Sequence, residues 1–184
     1  DVLLRPFQLA STLVTNAEWQ AFIDDGGYAD PRLWLSDGWA WVQRNGITAP
    51  LRWQAGADGW TGMTLAGRQP LAPHAPATHI SHYEADAFAA WAEARLPTEA
   101  EWEYVARAGS QTRFPWGEDP ELACRYANVY DASAADPGIP WSATRCADGY
   151  PTIAPVGRFA PNAFGLYDTI GNVWEWTTAC DEKK

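Results

Sequence analysis

Three copies of one local device constrain this chain more than anything else in it. Thr15-Asn16-Ala17-Glu18, Ser81-His82-Tyr83-Glu84 and Thr98-Glu99-Ala100-Glu101 each place a hydroxyl three residues before a Glu. In that spacing the hydroxyl bonds the N3 amide and the Glu reaches back to the N-cap amide, so each motif starts a helix. Trp19, Phe22 and Ile23 follow the first at helical spacing, and Gly26-Gly27 ends it. Ala85, Phe88, Ala89 and Ala92 follow the second, with Trp91 beside them. Trp102, Val105 and Ala106 follow the third, stopped by Gly109.

Little else is periodic. Phe7-Gln8-Leu9-Ala10 reads as a strand, Gly59 to Leu65 as a strand or hairpin, and Ile153 to Gly157 as an edge strand broken by Pro155. From Arg113 to Gly149 no period is visible, and so long a stretch inside a compact domain implies function or pinning. The pattern is α+β with extensive coil. The 184 residues suffice for one domain with a core of its own. Twelve Trp, 15 Gly and 14 Pro describe irregular backbone held by large rings.

Charge and hydropathy narrow the partners. Thirteen Lys and Arg against 23 Asp and Glu give a net charge of −10, which disfavours nucleic acid and anionic lipid. No apolar run is long enough to span a bilayer, and Asp1 to Pro6 has no signal-peptide character, so a cytoplasmic location is expected. Cys124, Cys146 and Cys180 form no zinc spacing. Reduced, partly buried thiols are the expectation, the alternative being a Cys124–Cys146 bridge closing the loop between them.

Three segments together carry a resemblance: Arg95-Leu96-Pro97-Thr98-Glu99-Ala100-Glu101-Trp102-Glu103-Tyr104, then Phe114-Pro115-Trp116-Gly117, then Asn162 to Asp168 running into Gly171-Asn172-Val173-Trp174-Glu175-Trp176. In that order they resemble the formylglycine-generating enzyme (sulfatase-modifying factor) superfamily. The resemblance implies a C-type-lectin-like fold, coil-rich, with a small mixed sheet and two or three helices. Val14 to Trp19, Asp25 to Tyr28, Trp34 to Trp39, Ala49 to Trp53 and His79 to Asp86 resemble the C-terminal domain of ergothioneine-biosynthesis sulfoxide synthases. The segments around Cys124 and Cys146 look more like the generic branch. The resemblance implies one domain over residues 1–184, cut short at its C-terminal end, where Asp181 to Lys184 resembles a mid-loop cut.

The resemblance also implies two structural calcium sites. One matches Asn128, the Val129 carbonyl, Asp148 and the Tyr150 carbonyl. The other matches Asp168, the Gly171 and Val173 carbonyls and Glu175, with Asp168 standing where formylglycine-generating enzymes have Asn. Oxygen donors of this kind suit a hard cation. The competing readings are an Asx turn at Asn128 and a salt bridge from Glu175 to an Arg.

Three functions follow as expectations. An ergothioneine-type sulfoxide synthase joins a sulfur donor to trimethylated histidine with Fe(II) and O₂, an oxidoreductase chemistry whose iron ligands lie on a separate domain with an H-x3-H-x-E motif. This chain has only His74, His79 and His82, and H-x-x-H across a helix start reads as a surface pair. Tyr28, Trp39 and Tyr83 are then candidate substrate-wall residues, among rings suited to a trimethylammonium group. A formylglycine-generating oxidase would instead act on a sulfatase peptide with a copper-binding cysteine pair, which Cys180 does not match. The third is a non-catalytic lectin-like binding module. No catalytic residue is assigned.

Overall fold

A computed structural model describes residues 2–136 and 138–178; Cys180 and the cut expected at Asp181 to Lys184 lie outside them. The chain forms two compact units: Val14–Leu96, central in sequence, and Asp1–Leu13 together with Pro97–Lys184, outer in sequence.

The central unit holds α1 (Asn16–Asp24), α2 (Ser36–Asn45) and α3 (His82–Trp91), with a three-stranded sheet between α2 and α3 in sequence. Both capping boxes form as read. Thr15 and Ser81 accept the amides of Glu18 and Glu84, whose carboxylates return to the Thr15 and Ser81 amides at 2.7 Å. The helices bury Trp19, Phe22, Val42, Ala87 and Phe88 with Tyr28 and Trp34. Trp19 stacks on Phe88 at 4.9 Å, and Phe22 meets both edge-on. Offset and edge-on rings of this kind add to their area burial. Gly27 has to be glycine, since a Cβ there would fall 2.0 Å from the Phe22 ring.

The sheet is β1 (Gln54–Gly56), β2 (Gly59–Thr64) and β3 (Gly67–Pro70), antiparallel in the order β1-β2-β3. The register pairs Ala55 with Trp60 and Met63 with Arg68. The expected mixed sheet is therefore antiparallel throughout, because each strand returns through a short turn.

The outer unit holds α4 (Glu99–Arg107) and the short α5 (Ala123–Tyr126). The chain thus has five described helices where two or three were expected. Thr98 and Glu101 form the third capping box. The left-handed stop of α4 is Ala108, one residue before Gly109. Phe114, Trp116 and Tyr126 stack face to face at 5.0 and 5.4 Å. Residues 2–13 join this unit as extended coil: Phe7 packs edge-on to Tyr104, and the Tyr167 amide bonds the Ser11 carbonyl at 2.8 Å.

Two expected strands are absent. Phe7 to Ala10 has no ladder partner among the described residues. Ile153 to Gly157 is also coil, because side chains satisfy its backbone. Asn172 accepts from the Ala154 amide at 3.0 Å and donates to the Ala154 carbonyl at 3.2 Å, and Asp168 takes the Gly157 amide at 2.7 Å. Pro155 supplies no donor at all.

Candidate functional site

The aperiodic stretch is pinned by a covalent bond. Cys124 and Cys146 form a disulfide, which corrects the expectation of reduced thiols. The loop doubles back beside itself, with the Ala132 amide on the Cys146 carbonyl at 3.0 Å and the Thr144 amide on the Tyr130 carbonyl at 3.1 Å, and so brings the two sulfurs together.

Fully buried Asp131 lies within this loop. Its Oδ1 accepts the Ser133 and Ala134 amides at 2.7 and 3.3 Å, and its Oδ2 accepts the Asp148 amide. Sequence reading missed Asp131; its Asp-x-Ser turn was the available signal. Asp148 in turn accepts the Val129 amide at 3.3 Å and the Tyr150 amide at 2.6 Å. The Asx turn thus forms at Asp148 and not at Asn128. Burial raises the Asp148 carboxyl above its ordinary range, with the Asp131 charge adding to the effect and the two amides opposing it.

Asn128 is buried and its Nδ2 donates to the Thr152 carbonyl, which leaves Oδ1 as an acceptor. The pair Asn128 and Val129 and the pair Asp148 and Tyr150 are therefore neighbours, nineteen or more residues apart in sequence but tied through the Val129–Asp148 bond. Asn128 and Asp148 thus bring side-chain oxygens close together, and such hard donors with nearby main-chain carbonyls are of the kind calcium takes.

The second set is built on the turn after Tyr167. Asp168 and Asn172 both take left-handed backbone, at φ 55° and 60°. Gly171, at φ 76°, admits no side chain, because a Cβ would fall 2.1 Å from the Asn128 carbonyl oxygen. Asp168 is 2% exposed and its Oδ1 has no hydrogen-bond partner among the described residues. Burial raises its carboxyl, opposed by the Gly157 amide and the Asn172 side chain. A buried carboxylate oxygen without a donor is costly.

Glu175 accepts from the Trp102 indole at 3.1 Å. Loss of hydration around its carboxylate, with the Asp168 charge adding, pushes it up to about 7 against the pull of the indole N–H. Among the described residues no Lys or Arg reaches it. Two carboxylates that repel each other, one with an orphaned oxygen, fit a bound cation. Among the described residues no three His, Cys, Asp or Glu side chains form a group that could hold a metal ion, so either set would need main-chain carbonyls beside its carboxylates.

The aromatic candidates divide. Tyr28 is buried, donates to Glu84 Oε1 at 2.6 Å, and packs on Phe22 and Trp34. Burial, then the Glu84 charge, drives its phenol far above the ordinary range. It is a core residue here. Trp39 and Tyr83 are half-buried on α2 and α3. Gly38 lets the two helices meet: a Cβ there would fall 2.8 Å from the Tyr83 ring. Of the histidines, His79 is exposed at φ 63° and His82 opens α3 half-buried.

A family model for the sulfatase-modifying factor enzyme 1-like domain matches residues 1–184. The chain belongs to that family. Within the family it is 40% identical over 179 residues to the hercynine oxygenase of Mycobacterium tuberculosis, covering 94% of this chain and 37% of that one. It is 37% identical over 191 residues to the formylglycine-generating enzyme of Streptomyces coelicolor, covering 95% and 58%. The solved structure of PvdO from Pseudomonas aeruginosa superposes with a TM-score of 0.50 at 34% identity, over 77% of this chain and 51% of that one. The chain thus spans less than two thirds of the length of each. Among the described residues no helix is long and apolar enough to cross a membrane.

Proposed function

We propose that this chain is the substrate-binding domain of an iron(II)- and O₂-dependent sulfoxide synthase that acts on trimethylated histidine, hercynine. The observation that carries the reading is the 40% identity to a hercynine oxygenase across 94% of the chain. The iron would be held by residues outside this chain and would supply O₂ activation. The contribution of this chain is to bind and orient the substrate. Trp39 and Tyr83, half-buried and set on helices α2 and α3, supply aromatic faces for the trimethylammonium head. Tyr28 supports them from the core through Glu84, which caps α3.

The two oxygen-donor sets bind calcium and act structurally. Asn128, Val129, Asp148 and Tyr150 hold one ion; Asp168, Gly171, Val173 and Glu175 hold the other. The ions neutralise Asp168, which is buried, and the neighbouring Glu175, neither of which has a cationic partner among the described residues, and they hold coil without a ladder of its own there. Calcium is expected to raise the melting temperature and a chelator to lower it. No shift in either direction would remove both assignments.

Calorimetric titration tests the substrate. Hercynine is expected to bind more tightly than histidine, and Trp39→Ala to weaken hercynine about tenfold, the range of a desolvated cation–π contact. Equal binding of the two amino acids, or of neither, overturns the reading. Binding of a cysteine-containing sulfatase peptide in their place would favour the formylglycine-generating oxidase, whose relative is 37% identical.

A further inference from the structure

The disulfide closes the one loop that both halves of the first cation site depend on. Cys124 lies four residues before Asn128 and Cys146 two residues before Asp148. Between Tyr126 and Tyr150 the described residues form no helix or strand that would hold these halves together. What does hold them is short. The bridge joins the loop ends, and the Ala132–Cys146 and Tyr130–Thr144 backbone bonds zip the chain beside it. Asp131, fully buried in that zipper, grips the Asp148 amide. The Asp148 carboxylate is thereby turned to the Val129 and Tyr150 amides, where the two halves meet.

We propose that the Cys124–Cys146 bridge and Asp131 are a positioning device for the first calcium site, so that reducing the disulfide weakens calcium binding there. The inference rests on the calcium reading given above. A cross-linked loop presents its oxygens already gathered. Once the sulfurs part, the cation has to order a 22-residue connection as part of binding, and that cost is taken from its affinity. The second site draws its ligands from Asp168, Gly171, Val173 and Glu175, all outside the bridged loop, so it responds less. Reduction by a dithiol such as dithiothreitol breaks the S–S bond and leaves a hydrogen on each sulfur. The reagent is oxidised to its cyclic disulfide.

The test is calcium titration by calorimetry on the whole chain, oxidised and reduced, with Glu175→Ala used to isolate the first site. Oxidised Glu175→Ala should bind calcium, and reduction should weaken that binding about tenfold or more. An Asp131→Asn variant, with the bridge intact and its folding checked by circular dichroism, should also bind more weakly. It separates positioning from any general loosening on reduction. Equal affinity in the oxidised and reduced forms, or in folded Asp131→Asn and its parent, overturns the device while leaving the calcium site standing. Absence of calcium binding to the oxidised chain overturns the calcium reading itself and the device with it.

Discussion

The Asn172 amide donates to the Asn128 carbonyl at 2.9 Å, and this bond joins the two candidate cation sites. Asn128 belongs to the first set, and Asn172 sits between the Gly171 and Val173 carbonyls of the second. The Asn172 side chain extends the link by bonding both polar groups of the Ala154 backbone.

Gly171→Ala tests that close approach. Its Cβ would fall 2.1 Å from the Asn128 carbonyl oxygen, on backbone at φ 76°. The clash falls on main chain, which cannot step aside as a side chain would. The variant should lose on the order of 3 kcal/mol in urea unfolding. A midpoint equal to that of the parent would show that the two turns do not touch in solution.

Asn172 separates backbone strain from side-chain bonding. Asn172→Ala loses the Ala154 bonds and keeps the left-handed φ of 60°. Asn172→Gly loses the same bonds but relieves the backbone. Both should be less stable than the parent, with Ala below Gly by about 1 kcal/mol. Equal stability of the two variants would count against the left-handed turn.

Tyr28→Phe probes the core of the central unit. It removes the donor on Glu84 Oε1 and leaves a buried carboxylate that among the described residues is bonded by its side chain only to Ser81. A loss of about 1–3 kcal/mol is expected by denaturant melting. Glu84→Gln should lose stability too, because the single amide oxygen cannot accept from both Ser81 and Tyr28 as the two carboxylate oxygens do. A neutral Tyr28→Phe would show that the pair is solvated.

The pH dependence of the calcium-free chain has a fixed sign. Loss of hydration raises the Glu175 carboxyl from 4.5 to about 7 and raises that of Asp168 as well. The folded chain therefore holds more protons than the unfolded one across this window. Its stability should fall as pH rises from 4.5 toward about 7 in the presence of chelator. Calcium favours the ionised pair, so the gap between calcium-loaded and chelated melting temperatures should widen with pH. A gap constant over that range would argue against these carboxylates as ligands.

Local chemistry explains which parts were legible in the sequence. The three capping boxes concern residues three apart, and all three form. Helix α2 escaped because Leu35 caps it without a side-chain bond and Gly38 interrupts its pattern. Strand β2 was legible within Gly59 to Leu65, whereas β1 and β3 escaped because they are short and almost wholly exposed, so no alternation marks them. Tyr28 looked like a site residue because nothing near it names Glu84, its partner 56 residues on. The oxygen-donor sets were reached through family motifs, whereas Asp131 and the bridge depend on a loop folding back on itself.

The bond between Tyr167 and Ser11 sets the order of events on the ribosome. The central unit is contiguous, so it can fold as soon as Leu96 has emerged. The outer unit is split by it, and its first thirteen residues must wait, unpaired, until the far half is synthesised. Contacts of such long sequence separation form slowly. The nascent chain therefore passes through a stage in which one unit is finished while the segments of the other are still within reach of chaperones and proteases.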